Sequence, residues 1–205
     1  NMNQNVQKYS NSNWGGIGVI TKPGTTGAGA TRSTTVINYP TKVAFNDQAV
    51  AIIYSETPSS SETSTKNGSI AIGGASDHGG LDTTIDFNSS SAKRLYENIY
   101  TTQKAFAALN KDGSIISWGH TDFGGSGAPT GTGYSKIYST NSAFAALKSD
   151  GSISVWGDSS NGGSGAPTGT GFTKIFSTAT AFAAIKSDGS VSVWGDSNNG
   201  GSGAP

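Results

Sequence analysis

Residues 134–167 read YSKIYSTNSAFAALKSDGSISVWGDSSNGGSGAP, and residues 172–205 read FTKIFSTATAFAAIKSDGSVSVWGDSNNGGSGAP. The two stretches differ at eight of 34 aligned positions, and most differences keep the shape of the side chain. Residues 96–129 keep the same register, so that successive tryptophans are 38 residues apart. Self-similarity at a fixed period is the signature of a repeat architecture. This repeat therefore decides the fold class.

Each regular unit predicts three short strands followed by a loop. In the stretch quoted first, we expect strands over Tyr134–Ser139, Ala143–Lys148 and Ser152–Trp156. The intervening Asp150-Gly151 pair is a strong hairpin signal, because aspartate and glycine tolerate the positive φ that such a turn needs. Asp158–Gly171 contains many glycines and a proline, and this composition predicts a loop.

Weaker copies of the unit lie upstream of the regular ones. Residues 41–55 align with residues 173–187 without a gap, and residues 67–80 align with residues 112–125, with Gly73 in place of tryptophan. We therefore predict a partial N-terminal unit with a Gly/Thr-rich loop, a degenerate unit with an insertion, and three regular units, the last expected to continue beyond the chain. Their boundaries are 1–40, 41–95, 96–133, 134–171 and 172–205, and the last four are named the first to fourth units below.

The period of the repeat favours one architecture over another. Units this small cannot bury a hydrophobic face alone and must stack on one another. Several short strands per unit at a constant period fit a β-propeller or a β-solenoid. Solenoid coils usually repeat at about 20–30 residues and propeller blades at about 40–50, so a period of 38 favours the propeller. We predict an all-β propeller, with a β-solenoid or an open array as alternatives.

The composition excludes several classes of function. Charged residues make up 13% of the chain, about half the usual share. Thirteen basic residues balance thirteen acidic ones, so that nothing attracts a phosphate backbone and nucleic-acid binding is not expected. The sequence has no apolar run long enough to span a membrane. Low charge with many glycines, serines and threonines favours an extracellular or cell-surface location.

The residue types that carry chemistry are scarce. The two histidines, His78 and His120, fall on loop positions, and a zinc site would need three or four convergent ligands. The aspartates Asp112, Asp150 and Asp188 recur with the repeat, but each stands alone before Gly-Ser and predicts a turn rather than a calcium site. No serine has an evident neighbouring base. We therefore expect a protein that is not an enzyme, with no catalytic residue, metal or cofactor.

Recognition is expected at positions that vary between the units and at periodic tryptophans. The variable positions fall before the second strand and in the loop after the third strand, where Phe123 is an aromatic residue on a predicted loop. Tryptophan is enriched at binding hot spots, although packing between units is the interpretation we prefer for a periodic tryptophan at a strand end. The candidate binding residues are Phe123, His120, Asn141, Asn161, Asn199, Trp118, Trp156 and Trp194.

The stretch AFAALKSDGSISVWGDSSNGG, residues 143–163, resembles the repeat of the regulator of chromosome condensation family. The spacing, and the prolines Pro129, Pro167 and Pro205, resemble still more closely the bacterial β-lactamase inhibitor proteins built from similar repeats. The resemblance covers residues 41–205 and implies a seven-bladed propeller that binds a protein partner with one face. The chain departs from the family pattern at Ser142 and Thr180, where the family usually has histidine, and in the Gly-Gly-Ser-Gly that follows the loop.

The function we expect is that of a structural or adhesive repeat scaffold, extracellular or surface-displayed, whose loops bind a protein or a glycan. The near-identity of the last units also favours assembly into a larger array. One alternative is a propeller that binds a single protein partner as an inhibitor or exchange factor. The other is a lectin-like glycan binder.

Overall fold

The structure, a computed structural model, describes residues 38–56, 67–81 and 95–204. These residues form four antiparallel three-stranded sheets, one for each unit. The described ranges contain short 3₁₀ turns but no α-helix. The predicted all-β propeller-like fold is confirmed. The predicted partial unit over residues 1–40 lies outside the described residues, apart from the last three, which begin the first strand.

The strands follow the same order in every unit. They are β1 (Asn38–Phe45), β2 (Ala49–Glu56), β3 (Asn67–Gly74), β4 (Tyr96–Thr101), β5 (Ala105–Asn110), β6 (Ile115–Gly119), β7 (Tyr134–Ser139), β8 (Ala143–Lys148), β9 (Ile153–Gly157), β10 (Phe172–Ser177), β11 (Ala181–Lys186) and β12 (Val191–Gly195). A single 3₁₀ turn follows each third strand, at Ser76–His78, Thr121–Phe123, Ser159–Asn161 and Ser197–Asn199.

Within the described ranges, strands pair only with strands of their own unit, and the middle strand lies between the other two. In a solenoid, strands of successive coils would instead join into continuous sheets. The solenoid alternative is therefore wrong for the described residues. The register between the second and third strands is the same in the second, third and fourth units, where Phe106 pairs with Trp118, Phe144 with Trp156 and Phe182 with Trp194.

The hairpin turns are closed by their aspartates. The Asp150 carboxylate accepts hydrogen bonds from the Ser152 backbone N–H at 2.8 Å and from the Ser152 hydroxyl at 2.7 Å. Asp188 is bonded in the same way to Ser190, at 2.9 and 2.7 Å. These bonds, the backbone one first, hold the pKa of Asp150 and of Asp188 below the usual range. The prediction that the periodic aspartates form turns is confirmed.

Each sheet presents two different faces to its neighbours, because side chains alternate along a strand. The forward face packs against the following unit, and in the second unit it consists of Ala105, Ala107, Leu109 and Ile115. The backward face packs against the preceding unit, and in the second unit it consists of Tyr96, Phe106, Ala108 and Trp118. The core is therefore divided into three layers, each lying between two successive sheets.

Aromatic pairs on the backward faces form the centre of each layer. Phenylalanine and tryptophan from neighbouring strands stack with ring centroids 5.1–5.3 Å apart in the second, third and fourth units. Small alanines on the opposing forward face, such as Ala105 and Ala143, are fully buried and let the sheets approach closely. The expected packing of the tryptophans between units is confirmed by their burial in these layers.

Candidate functional site

The variable positions of the repeat converge on one edge of the array, which we name the rim. Two loops of each unit meet there through one backbone hydrogen bond. The bonds are Ala75 N–H to Gln48 O at 3.0 Å, His120 N–H to Lys104 O at 2.9 Å, Asp158 N–H to Ser142 O at 3.0 Å and Asp196 N–H to Thr180 O at 3.0 Å. The rim thus consists of residues 46–48, 102–104, 140–142 and 178–180 together with residues 75–78, 120–123, 158–161 and 196–199.

A threonine fixes the rim in the second, third and fourth units, and Asn46 takes its place in the first unit. The Thr140 hydroxyl donates to the Asn161 carbonyl oxygen at 3.0 Å and accepts from the Ala143 N–H at 3.0 Å. Thr102 bridges to Phe123 O at 2.8 Å, and Thr178 bridges to Asn199 O at 3.3 Å. A hydroxyl both donates and accepts, so one side chain connects the two loops. The backbone of the rim is therefore the same in each unit although its side chains differ.

A chain of backbone hydrogen bonds joins the rims of successive units. Asp47 N–H donates to Gln103 O at 3.3 Å, Gln103 N–H to Asn141 O at 2.9 Å, and Asn141 N–H to Ala179 O at 2.8 Å. We name this series the rim ladder. It aligns the variable positions in a row across four units. Sequence reasoning missed the ladder, because backbone groups leave no signal in residue identity.

The second unit carries the most distinctive side chains on the rim. The Lys104 ammonium lies 5.3 Å from the centre of the Phe123 ring, and His120 meets that ring edge to face at 5.3 Å. The His120 Nδ1 accepts the Asp122 N–H at 3.3 Å. Lys104, from one loop, and His120 and Phe123, from the other, thus place a cation, a polar ring and an aromatic ring side by side on the rim.

The corresponding loops of the third and fourth units carry only small polar groups. Asp158 accepts from the Ser160 N–H at 2.8 Å, and Asp196 accepts from the Asn198 N–H at 2.9 Å. The pKa of Asp196 is lowered by this backbone bond and by the amide of Asn199. Both aspartates therefore cap the 3₁₀ turn of their loop.

The structure separates the eight candidate binding residues into two groups. The three tryptophans are 1–4% exposed and lie inside the layers, where each indole N–H donates to a loop carbonyl of the preceding unit. The other five lie on the rim: Phe123, His120 and Asn161 are half-buried, and Asn141 and Asn199 are exposed. Lys104, a variable position, joins them through its contact with Phe123. Ligand binding by any of these residues stays a prediction.

The asparagines of the rim serve its structure as well. The Asn161 amide donates to the Asp158 carboxylate at 2.5 Å, and the Asn199 amide donates to Asp196 at 2.6 Å. Both side chains therefore stabilise the caps of their own loops. Asn141 differs, because only its backbone takes part in the rim ladder and its side chain is exposed.

The described residues contain no group of three or more histidine or acidic side chains that could hold a metal ion. His78 is 4% exposed and its Nδ1 lies 2.8 Å from the Asp77 carboxylate. That bond holds the pKa of Asp77 below its usual value. Within the same part of the chain, no helix has the length and apolar character that a membrane crossing requires.

Comparison with known proteins gives similarity in structure only. No protein family matches the sequence, and no curated protein does. Among solved structures, the CRINKLY WD40 ectodomain of the Arabidopsis thaliana receptor kinase ACR4 is 16% identical with a TM-score of 0.52, and the match covers 86% of this chain and 54% of that one. Prp20p from Saccharomyces cerevisiae is 13% identical with a TM-score of 0.51, with coverage of 77% and 44%. Human WBSCR16 is 15% identical with a TM-score of 0.50, with coverage of 77% and 47%.

These similarities concern the fold. The chain spans about half the length of the solved structures it matches. At identities of 13–16%, shared architecture does not imply shared activity. The chain is thus similar in fold to propellers built from repeats of the regulator of chromosome condensation type.

Proposed function

We propose that this chain is a non-enzymatic scaffold that binds a protein partner through the rim. The observation that carries this proposal is the convergence of the variable positions on one edge, above a backbone that the threonines and the rim ladder hold constant. A constant frame with varied side chains is the arrangement by which rigid scaffolds present binding residues on loops.

The second unit supplies the contact residues. The Lys104 ammonium and the centre of the His120 ring each lie 5.3 Å from the centre of the Phe123 ring. Aromatic rings and cations are common anchors at protein interfaces. The acidic side chain of Asp122 is exposed beside them. We assign the centre of the interface to this group and its periphery to the exposed Asn141 and Asn199.

Two further features of the proposal are the location of the protein and the class of its partner. The low share of charged residues, 13%, favours an extracellular or cell-surface scaffold with an adhesive role. Prp20p, which is similar in structure, has binding properties to Gsp1p and histones, and this favours a protein as the class of partner. The inhibitor-like and exchange-factor-like alternatives use the same rim and differ in having one specific partner.

A loop exchange tests the rim without altering the frame. The variant His120→Asp, Thr121→Ser, Asp122→Asn and Phe123→Asn gives the second unit the loop that already folds in the fourth unit. The full chain is immobilised, and extract of the source cells or culture medium is applied. We expect the wild type to retain a partner and the exchange variant to retain at least about tenfold less of it.

The matched control is Ser160→Asn, which makes the third-unit loop identical to that of the fourth. This variant should retain the partner fully and unfold within about 1 kcal/mol of the wild type. The exchange variant also loses the packing of Phe123 against the layer between the second and third units, so cooperative unfolding in urea is the check that its frame remains folded. Equal capture by the exchange variant would exclude the rim of the second unit as the interface. Binding on a glycan array that depends on residues 120–123 would instead favour the lectin-like alternative, and turnover of a bound ligand would overturn the non-enzymatic assignment.

A further inference from the structure

The 3₁₀ turn after the third strand is capped differently in the second unit than in the third and fourth. There an aspartate, Asp158 or Asp196, accepts the backbone N–H two residues on, at 2.8 and 2.9 Å. In the second unit His120 occupies this position, and its Nδ1 accepts the Asp122 N–H at 3.3 Å. An aspartate keeps its charge above about pH 5, whereas imidazole changes charge between about pH 5 and 8. Of these three caps, that of the second unit is therefore the one that titrates near neutral pH.

The Nδ1 atom of His120 faces two groups of Asp122 that require opposite protonation states. The Asp122 N–H, at 3.3 Å, is a donor and needs an Nδ1 without a proton. A carboxylate oxygen of Asp122, 4.0 Å from the same nitrogen, is an acceptor and attracts an Nδ1 that carries a proton. Histidinium has a proton on both ring nitrogens. Protonation therefore removes the cap bond and favours the carboxylate, whose side chain is 83% exposed and can turn toward the ring.

Protonation of His120 also changes the surroundings of Phe123. The His120 ring meets the Phe123 ring edge to face with centroids 5.3 Å apart, and the Lys104 ammonium lies 5.3 Å from the same Phe123 centroid. One cation faces this ring while His120 is neutral, and two face it once His120 is charged. Like charges repel, and the lysine stem is flexible. Lys104 should therefore leave the ring when His120 takes up a proton.

The other charged groups around these side chains favour the same movement. Asp122 is the only acid within 4.0 Å of a His120 ring nitrogen in the described part of the chain. Asp77 of the first unit faces Lys104, and its pKa is lowered first by its bond to His78 and in small part by the Lys104 charge. On the other side, residues 140–142 of the third unit are Thr-Asn-Ser and carry no charge. Asp77 therefore attracts the Lys104 ammonium toward the first unit.

We propose that His120 is a pH-sensitive switch that rearranges the rim of the second unit between about pH 8 and pH 5. With His120 neutral, its Nδ1 caps the 3₁₀ turn and Lys104 lies over Phe123. With a proton taken from solvent onto Nδ1, His120 donates to the Asp122 carboxylate, the turn loses its cap, and Lys104 moves toward Asp77. As regulation of binding, the switch rests on the proposed function, because these side chains form the centre of the assigned interface. As a property of the free chain it does not, and it is tested there.

NMR titration of the full chain without a partner, from about pH 8 to about pH 5, tests the switch. The readouts are the Asp122 amide resonance and the nuclear Overhauser contact between the Lys104 ε-methylene and the Phe123 ring. We expect the amide resonance to share one midpoint with the His120 ring resonances, and the contact to be lost at the acid end. The amides of Ser160 and Asn198, which aspartates cap, are internal controls and should not shift over this range.

His120→Asn is the matched variant, because its amide oxygen accepts the Asp122 N–H and does not titrate. It should abolish both changes above about pH 5. His78→Asn removes the other histidine and introduces the residue that the third and fourth units carry at this position, so it should titrate like the wild type.

Three outcomes would overturn the switch: an Asp122 amide that does not titrate with His120, a Lys104–Phe123 contact that persists at the acid end, or the same changes in His120→Asn. All three are read from the free chain. Retention of a partner by the wild type at neutral pH would then still support the proposed function, whereas failure to retain any partner would count against the proposed function and leave a positive titration in place.

Discussion

Trp156 stabilises the array in two distinct ways at the scale of a single residue. Its ring stacks on Phe144 with centroids 5.1 Å apart, and its indole N–H satisfies the Gly124 carbonyl of the preceding unit at 3.0 Å. The first contribution is apolar and needs only bulk, whereas the second needs the nitrogen. The two contributions are therefore separable by substitution.

We expect Trp156→Phe to lower the free energy of unfolding by about 1–2 kcal/mol, because it leaves the Gly124 carbonyl without its donor. Trp156→Ala should lower it by about 3–5 kcal/mol, because it also removes the stacked ring from a layer between two sheets. Urea unfolding followed by tryptophan fluorescence or circular dichroism measures both. Equal stability of Trp156→Phe and the wild type would show that the indole bond contributes nothing.

The hairpin aspartates make stability depend on pH in the acid range. The pKa of Asp150 and of Asp188 is lowered in the folded chain, first by the backbone N–H two residues on. The two carboxylates therefore contribute to the free energy of unfolding above the ordinary aspartate pKa of about 3.9. This contribution is lost as the pH falls through their lower pKa in the folded chain. We expect the urea midpoint to decrease below about pH 4, and to decrease less in the double variant Asp150→Asn, Asp188→Asn, whose amides still accept the bonds but do not titrate. An unchanged pH profile in the double variant would contradict this origin.

At the scale of the element, each middle strand belongs to two layers at once. The residues of β8 alternate between a backward face with Phe144 and Ala146 and a forward face with Ala143, Ala145 and Leu147. A strand buried on both faces loses the alternation of polar and apolar residues. For this reason the run AFAAL is apolar throughout, while the first strand keeps exposed residues such as Ser135 and Lys136.

The glycines after the third strands allow a matched comparison of the third and fourth units. Gly162→Ala adds a methyl group 2.6 Å from Phe182, whereas Gly200→Ala adds it to open space, at nearly the same φ. We expect Gly200→Ala to cost roughly 1–2 kcal/mol from backbone strain. Gly162→Ala should cost about 1–3 kcal/mol more, because the neighbouring ring must move. Thermal or urea unfolding of the two variants measures the difference, and equal losses would mean that the ring moves freely.

At the scale of the whole molecule, the described units contact mainly their neighbours, so stability should behave as a sum over interfaces. Trp118→Phe and Trp194→Phe affect interfaces that share no residue, and we expect their effects on the free energy of unfolding to add within about 0.5 kcal/mol. Trp194→Phe and Gly162→Ala affect the same interface and should couple by more than that. A double-mutant cycle in urea measures both, and strong coupling in the distant pair would contradict the nearest-neighbour description.

Periodicity in the sequence was sufficient to predict the all-β fold, the three strands of each regular unit, the hairpin turns and the buried tryptophans. All of these depend on residue identity within one unit, such as Asp150 before Gly151 or Trp156 at a strand end. Periodicity did not predict the rim ladder or the contact of Lys104 with Phe123, because these depend on backbone groups and on which loops the fold brings together.

The pairing of unlike faces, forward against backward, also bears on how such a gene can change. Because every regular unit carries both faces, unequal crossing-over between the segments that encode two such units would add or delete one whole unit and leave the remaining joints matched. The length of the array can then drift between generations in steps of one repeat without any compensating substitution.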